Sequence, residues 1–220
     1  MTVARLADES PAYRQLRDEL QGAEMALRDQ REKVAALRRR LPLDTSFDDV
    51  SFEEIRDGAR EPVKLSELFT EPAKPLILMQ FMYGKKQAKP CPMCTLWADG
   101  YDGVVPHLRQ RANFAVLVAG DVAAFDAYAR SRGWRHLRAV SAADCDLKRR
   151  LGFENAEGEQ LPGVSVFVRR PDGSLVHAYS QSAWYGAEEF RGMDLLSPLW
   201  HFLDLTPEGR EDWMPRRRYE

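Results

Sequence analysis

Two cysteines spaced C-x-x-C, Cys91 and Cys94, lie in "KKQAKPCPMCTLWADG" (85–100), just after the apolar run "PLILMQFMYG" (75–84). With only Cys145 besides, the chain has too few cysteines for a disulfide framework, so the pair reads as thiol redox chemistry or as half of a metal site. Pro92 suits the first position of a helix, where its missing N–H leaves nothing unpaired, and this puts Cys91 at or next to the N-cap. Free backbone N–H groups and the positive end of the helix dipole then point at its sulfur and favour the thiolate. Lys85, Lys86 and Lys89 add positive charge upstream. Cys94, one turn on, is more shielded and keeps its proton. The pattern suits thiol–disulfide exchange, with Cys91 as nucleophile and Cys94 as resolving thiol.

A zinc site needs four ligands. Cys145 and the histidines His107, His136, His177 and His201 offer no second C-x-x-C and no H-x-x-H. Met79, Met82 and Met93 are soft enough for copper, but methionine in core strands is routine. No metal and no cofactor is therefore assigned, and exchange needs none. Around the pair, Trp97 is either a core residue or one that shields the edge of the site and touches substrate. Asp99 and Asp102 are either solvated acids near the helix end or groups that take the proton of the resolving thiol. Cys145 is a candidate second resolving thiol, with a lone structural thiol as the default. Leu161 and Pro162 precede an apolar segment, "GVSVFV", and read from the residues alone as a turn before a strand.

These residues need a scaffold, and the hydrophobic pattern supplies one. "LILMQFMY" (76–83) and "FAVLVAG" (114–120) are continuous apolar runs, as expected for strands buried on both faces. Between them "CPMCTLWADGYDGVVPHLRQR" has helical tendency, weakened or kinked at Gly100, Gly103 and Pro106. "DVAAFDAYARSRG" (121–133) is an amphipathic helix stopped by Gly133. "RHLRAV" reads as a short strand and "DCDLKRRLGF" as a helical turn. "VSVFVRR" (164–170) and "SLVHAYS" (174–180), joined by Pro171-Asp172-Gly173, read as a hairpin, and "MDLLSPLWHFLDL" (193–205) as a closing helix. The order implies an α/β domain with a central mixed sheet covered by helices.

Ahead of this domain, Ser10 and Pro11 mark a helix start. Tyr13, Leu16, Leu20, Ala23, Leu27, Val34, Leu37 and Leu41 follow at three- and four-residue steps, with Gln30 as the polar member of the seam. A helix of about 30 residues would be about 45 Å long. It lies along the chain's own core or packs on a partner subunit as an arm. Residues 43–75 are transitional, with "FDDVSFEE" as an edge strand and "KLSELF" as a helical turn. The expected organisation is an arm over 1–42, an α/β domain over 43–205 and a tail over 206–220.

The 220 residues are 44% hydrophobic and 30% charged, with a formal net charge of -2. That balance points away from nucleic acid and from a membrane surface. No apolar run approaches the roughly 20 residues that span a bilayer, and the N-terminus lacks an apolar signal core. The expected location is cytoplasmic, with a protein or low-molecular-weight thiol or disulfide as partner.

The C-x-x-C after the first core strand and the Leu161-Pro162 step before a strand and hairpin resemble the thioredoxin superfamily. The wider pattern resembles one branch of it, the DUF899 family of bacterial proteins predicted to be dithiol–disulfide oxidoreductases. The resemblance spans most of the chain: "RRRLP", "LSELF", "FMYG", "CPMCTLWADGYDGVVPHL", Gly133-Trp134, "PGVSVFVR" and "LDLTPEGRED". It implies a three-layer thioredoxin-like fold and a cis-proline at Pro162 facing the cysteines, with the backbone of Leu161 open to an extended substrate. Departures are the longer, lysine-bearing loop from Phe81 to Cys91 and the proline at the second active-site position, which is closer to a glutaredoxin and to a glutathione partner. The segment 181–220, with Trp184, Tyr185, Trp200, Trp213 and Tyr219, has no thioredoxin counterpart and either closes over the site or joins a dimer. A peroxidase using Cys91 on a peroxide is a rival, although the threonine or serine usual before a peroxidatic cysteine is missing. The other rival is a non-catalytic metal- or ligand-binding protein of the same fold.

Overall fold

The computed structural model describes residues 5–186 and 189–218, so Tyr219 and the last residue of the tail lie outside it. It divides into two units, 1–42 and 43–220. In the first, a single helix, α1 (Pro11–Arg38), begins where expected. Ser10 is the N-cap and its hydroxyl accepts from the Tyr13 N–H at 3.1 Å. None of its residues is buried, and Tyr13, Leu16, Leu20, Leu27 and Leu37 are exposed.

The second unit is built on one eight-stranded sheet in the order β1-β8-β7-β4-β5-β6-β2-β3. β1 (Ser46–Phe47), β2 (Ser51–Arg56) and β3 (Ala59–Lys64) come first, followed by a 3-10 turn at Leu65–Leu68. β2 and β3 form a hairpin in which Pro62 opposes Glu53, a pairing the transitional composition of this stretch conceals. At the far side of the sheet from β1, β3 is an edge strand, where the proline's lost N–H is tolerated. Then follow β4 (Leu76–Gln80), α2 (Pro92–Leu108), β5 (Asn113–Val118), α3 (Val122–Arg132), β6 (Ala139–Ser141) and the short α4 (Leu147–Arg150). The hairpin β7 (Gly163–Arg169) and β8 (Leu175–Ser182) and the helix α5 (Pro198–Leu203) complete the unit. The tail after α5 belongs to the same unit.

β4, β5 and β6 run parallel, while β7 and β8 are antiparallel to their neighbours. This mixed sheet with helices is the thioredoxin-like arrangement. α2 runs unbroken through Gly100, Gly103 and Pro106, and the expected closing helix is split into a 3-10 turn (Asp194–Leu196) and α5, because Pro198 can only start a helix. The central strands alternate between two cores. Met79, Val116 and Val118 pack with Met93, Cys94 and Trp97 of α2. Leu76, Leu78, Ala115 and Leu117 pack with Phe52, Leu68 and Leu147. Both faces are buried, which is why these strands read as unbroken apolar runs.

Two glycines let the loop that carries the cysteines leave the sheet. The segment after β4 crosses the one after β5, with the Ala119 N–H donating to the Tyr83 carbonyl at 2.9 Å. At the crossing Gly84 has φ +96°, and a Cβ there would stand 2.1 Å from the Gly120 nitrogen. Gly84→Ala is expected to cost more than about 1 kcal/mol, since neither the left-handed backbone nor the space admits a side chain. Urea denaturation would check this, and an unchanged midpoint would show that the crossing is not tight.

Candidate active site

The chain leaves the C-terminal end of β4, turns back through the Gly84–Gln87 pairing, and is tied by the Cys91 N–H, which donates to the Met82 carbonyl at 3.1 Å. Cys91 is the N-cap of α2, in extended conformation (φ -64°, ψ 130°), with Pro92 at the first helical position. Its carbonyl accepts from the Thr95 N–H at 3.0 Å and from the Thr95 hydroxyl at 2.9 Å. That hydroxyl also meets the Tyr128 hydroxyl at 2.9 Å. Cys91 is partly exposed and Cys94 fully buried, and both are free thiols.

The two sulfurs differ because their surroundings do. Cys91 is pulled down from an ordinary value of 9.0 to about 6, above all by a hydrogen bond donated by the Cys94 thiol. Burial opposes this, while the Cys94 and Met93 N–H groups and the Arg217 charge assist. These N–H groups face the sulfur without closing a full capping hydrogen bond. Cys94 is pushed well above 9.0, first by burial and then by its bond to Cys91. The two share one proton, and they titrate as a pair.

Behind Cys94 stands a group that the sequence reading did not single out. Lys148, on α4, is 1% exposed. Its Nζ lies 3.3 Å from the Phe81 carbonyl and 3.5 Å from Gln80 Oε1. Gln80 is fixed in turn by donating to the Ser165 hydroxyl at 3.2 Å. Burial lowers Lys148 to about 8, partly offset by Cys94 and Glu154 and reinforced by Lys85. Glu154 spends its charge on Lys85, 2.6 Å away. The signal for Lys148 was present as a lysine inside "DCDLKRRLGF", yet nothing local separates it from Arg149 and Arg150, whose exposed or half-exposed side chains reach Glu154 and Asp48.

The remaining candidates fall unequally. Trp97 is 2% exposed and sits inside the core with Cys94; it cannot touch a substrate, so its expected contact role is corrected to packing. Asp99 accepts from Arg132 at 2.5 Å and from the Trp134 indole N–H at 2.8 Å. Asp102 Oδ1 accepts from the Arg135, His136 and Leu137 N–H groups at 2.9, 2.7 and 3.2 Å. Both carboxylates thus fasten the segment between α3 and β6 to α2, and the expected proton-transfer role is corrected to anchoring. Cys145 borders the other core, away from the Cys94 cluster, which removes it as a second resolving thiol.

Leu161 is exposed, and Gly163 pairs with Gln80. Pro162 therefore enters the sheet at the end where β4 leaves it for Cys91. The Leu161 N–H donates to the Phe153 carbonyl at 3.0 Å, and the Pro162 carbonyl accepts from Ala183 at 3.0 Å. The structure contains no cis peptide bond among the described residues, so the Leu161–Pro162 bond is trans, contrary to what the resemblance implied. Among those residues there is also no group of three or more His, Cys, Asp or Glu placed to hold a metal. Nor is any helix long and apolar enough to cross a membrane.

The family model "Bacterial protein of unknown function (DUF899)" matches residues 3–219, and no curated protein matches the chain. Among solved structures, a putative thioredoxin reductase from Burkholderia cenocepacia is similar with a TM-score of 0.51 and 15% identity, covering 71% of this chain and 96% of that one. Reduced Prx3 in complex with hydrogen peroxide from Vibrio vulnificus aligns with a TM-score of 0.49 and 12% identity, over 71% and 97% of the two chains. AhpC of Mycobacterium tuberculosis aligns with a TM-score of 0.49 and 13% identity, over 71% and 89%.

In the reduced protein, thiolate absorbance is expected to appear near pH 6 and to vanish in Cys91→Ser, with no second thiolate until well above pH 9. The unfolded chain holds the Cys91 proton up to about pH 9 while the folded chain releases it at about 6. The reduced protein should therefore be stabilised relative to Cys91→Ser at pH 9 and lose that advantage as pH falls to 6. A Cys91 midpoint above 8 in the absorbance titration would refute the arrangement.

Proposed function

We propose that this chain, which belongs to the DUF899 family of bacterial proteins, is a thiol–disulfide oxidoreductase. The observation that carries the reading is the split between the two sulfurs: one ionised at a helix N-terminus and reachable, the other protonated, buried and bonded to it. A site that only packed would have no use for an anionic sulfur at its mouth.

The Cys91 thiolate attacks one sulfur of a disulfide, forming a mixed disulfide and expelling the first thiolate. Cys91 then no longer accepts the Cys94 proton, and Cys94 must lose it to become the second nucleophile. Lys148 is placed for this. Its lowered proton affinity leaves part of it as the neutral amine near neutral pH; that amine takes the Cys94 proton, and the ammonium so formed stabilises the new thiolate before handing the proton to the departing thiolate. Cys94 then attacks Cys91, the second thiolate leaves, and the dithiol has become the Cys91–Cys94 disulfide. The substrate has gained the two electrons. The substrate segment approaches past Leu161, whose side chain is exposed. A reducing cytoplasm would return the site to the dithiol.

Pre-reduced protein should reduce insulin or a small disulfide, and Cys91→Ser should abolish this. Cys94→Ser should accumulate the mixed disulfide. Lys148→Met should leave the Cys91 attack intact but slow release of the mixed disulfide by about ten-fold or more, with its pH onset moved upward. Fast peroxide consumption with no disulfide reduction would instead make the protein a thiol peroxidase. Equal release rates in Lys148→Met would remove the lysine from the mechanism.

The exposed seam of α1, repeating at alternating three- and four-residue steps, supports a homodimer joined along this helix. Sedimentation should give a dimer for the full chain and a monomer for Leu16→Lys/Leu27→Lys; a monomeric native chain would exclude it.

A further inference from the structure

Against Pro90, the residue before Cys91, the C-terminal tail completes a cavity of about 700 Å³ whose lining includes Lys89, Tyr128, Arg132, Arg216, Arg217 and Arg218. Five of its eight lining residues are cationic, and those five come from three places: the loop before Cys91, the end of α3 and the tail. The tail is held there by backbone and side chain together. Arg132 donates to the Arg217 carbonyl at 2.8 Å, and Arg217 donates to the Pro90 carbonyl at 3.4 Å. Pro90 is the residue before the nucleophile, and the charge of Arg217 reaches the Cys91 sulfur. Arg132 is paired with Asp99. Lys89, Arg216 and Arg218 are exposed and turned to the cavity.

This concentration of charge is local, because the chain as a whole carries a net charge of -2. The cations therefore cannot be explained as a generally basic surface. The cavity's size is that of a small-molecule pocket, typically about 300–1,000 Å³, and the chain's own tail forms one wall of it. Guanidinium groups bind carboxylates by paired hydrogen bonds.

We propose that the disulfide exchanged at Cys91 is a small, carboxylate-bearing one, whose anionic groups are held by Arg216, Arg218 and Lys89 while its sulfur meets Cys91. This rests on the exchange reading above and names its substrate class. The balance is that of the two steps already given: Cys91 bonds to one sulfur of RSSR and expels RS⁻, then Cys94 bonds to Cys91 and expels the second RS⁻. The protein loses two electrons and the disulfide gains them, and the Cys94 proton ends on the released thiol. The tail thus serves two ends, lowering the proton affinity of Cys91 through Arg217 and selecting an anionic partner through its neighbours.

The test is a single-turnover series in which pre-reduced full-length protein meets oxidised glutathione (anionic), hydroxyethyl disulfide (neutral) or cystamine (cationic). Cys91–Cys94 oxidation is followed by alkylation and mass. The expected order is glutathione over hydroxyethyl disulfide over cystamine, with about ten-fold or more between the extremes at low salt and a collapse of that spread at high salt. Arg216→Ala/Arg218→Ala should narrow it in the same way without changing the rate for the neutral disulfide, and Lys89→Ala should do so in part. A charge-independent series overturns the proposal while leaving exchange itself standing, as does a spread that the substitutions do not alter. Failure of all three disulfides to oxidise the pair overturns both.

Discussion

A proton held between two sulfurs organises this molecule. Cys94 donates to Cys91 and stays neutral because it is buried; Cys91 accepts and stays anionic because it opens a helix and meets N–H groups and a guanidinium. Neither condition survives without the other. If Cys94 were exposed, water would compete for the hydrogen bond it donates to Cys91, and if Cys91 lay within the helix its sulfur would no longer face the free N–H groups of the first turn. The fold around them secures that one-turn difference in depth. The strand β4 is buried on both faces, the loop after it crosses the segment after β5 at two glycines, and Pro92 fixes where the helix starts.

The same demand explains a feature that packing alone would not select. A lysine as deeply buried as Lys148, with only a carbonyl and an amide oxygen as bonded neighbours, costs stability. An apolar side chain of that length would fill the space without the cost of desolvating a charge. The sheet tolerates it because Gln80 and Ser165, both buried, supply a polar track across β4 and β7.

The strands β4 and β5 were legible because burial on both faces imposes an unbroken apolar run, and α3 because Asp121 caps its start and Gly133, at φ 78°, closes it. The β2–β3 hairpin was half hidden, because its outer strand is an edge carrying Arg60, Glu61 and Pro62 and needs little hydrophobicity. Trp97 and Asp99 misled for one reason: residue type suggested chemistry, but on α2 the indole turns into the core and the carboxylate turns to Arg132. Which way a helical side chain faces depends on what packs against the helix.

The sequence alone determined where the two cysteines stand on the helix, since the C-x-x-C spacing, the proline between them and the strand before them are local. Those features act through the first turn of one helix and through backbone dipoles that any such turn possesses. What only the tertiary structure decided was everything reaching the sulfurs from far along the chain: Lys148 behind Cys94, Arg217 beside Cys91, and the arginine-lined cavity made by the tail. Desolvation and charge act across space, and residues separated by more than 50 or 120 positions meet only once the sheet order and the path of the tail are set.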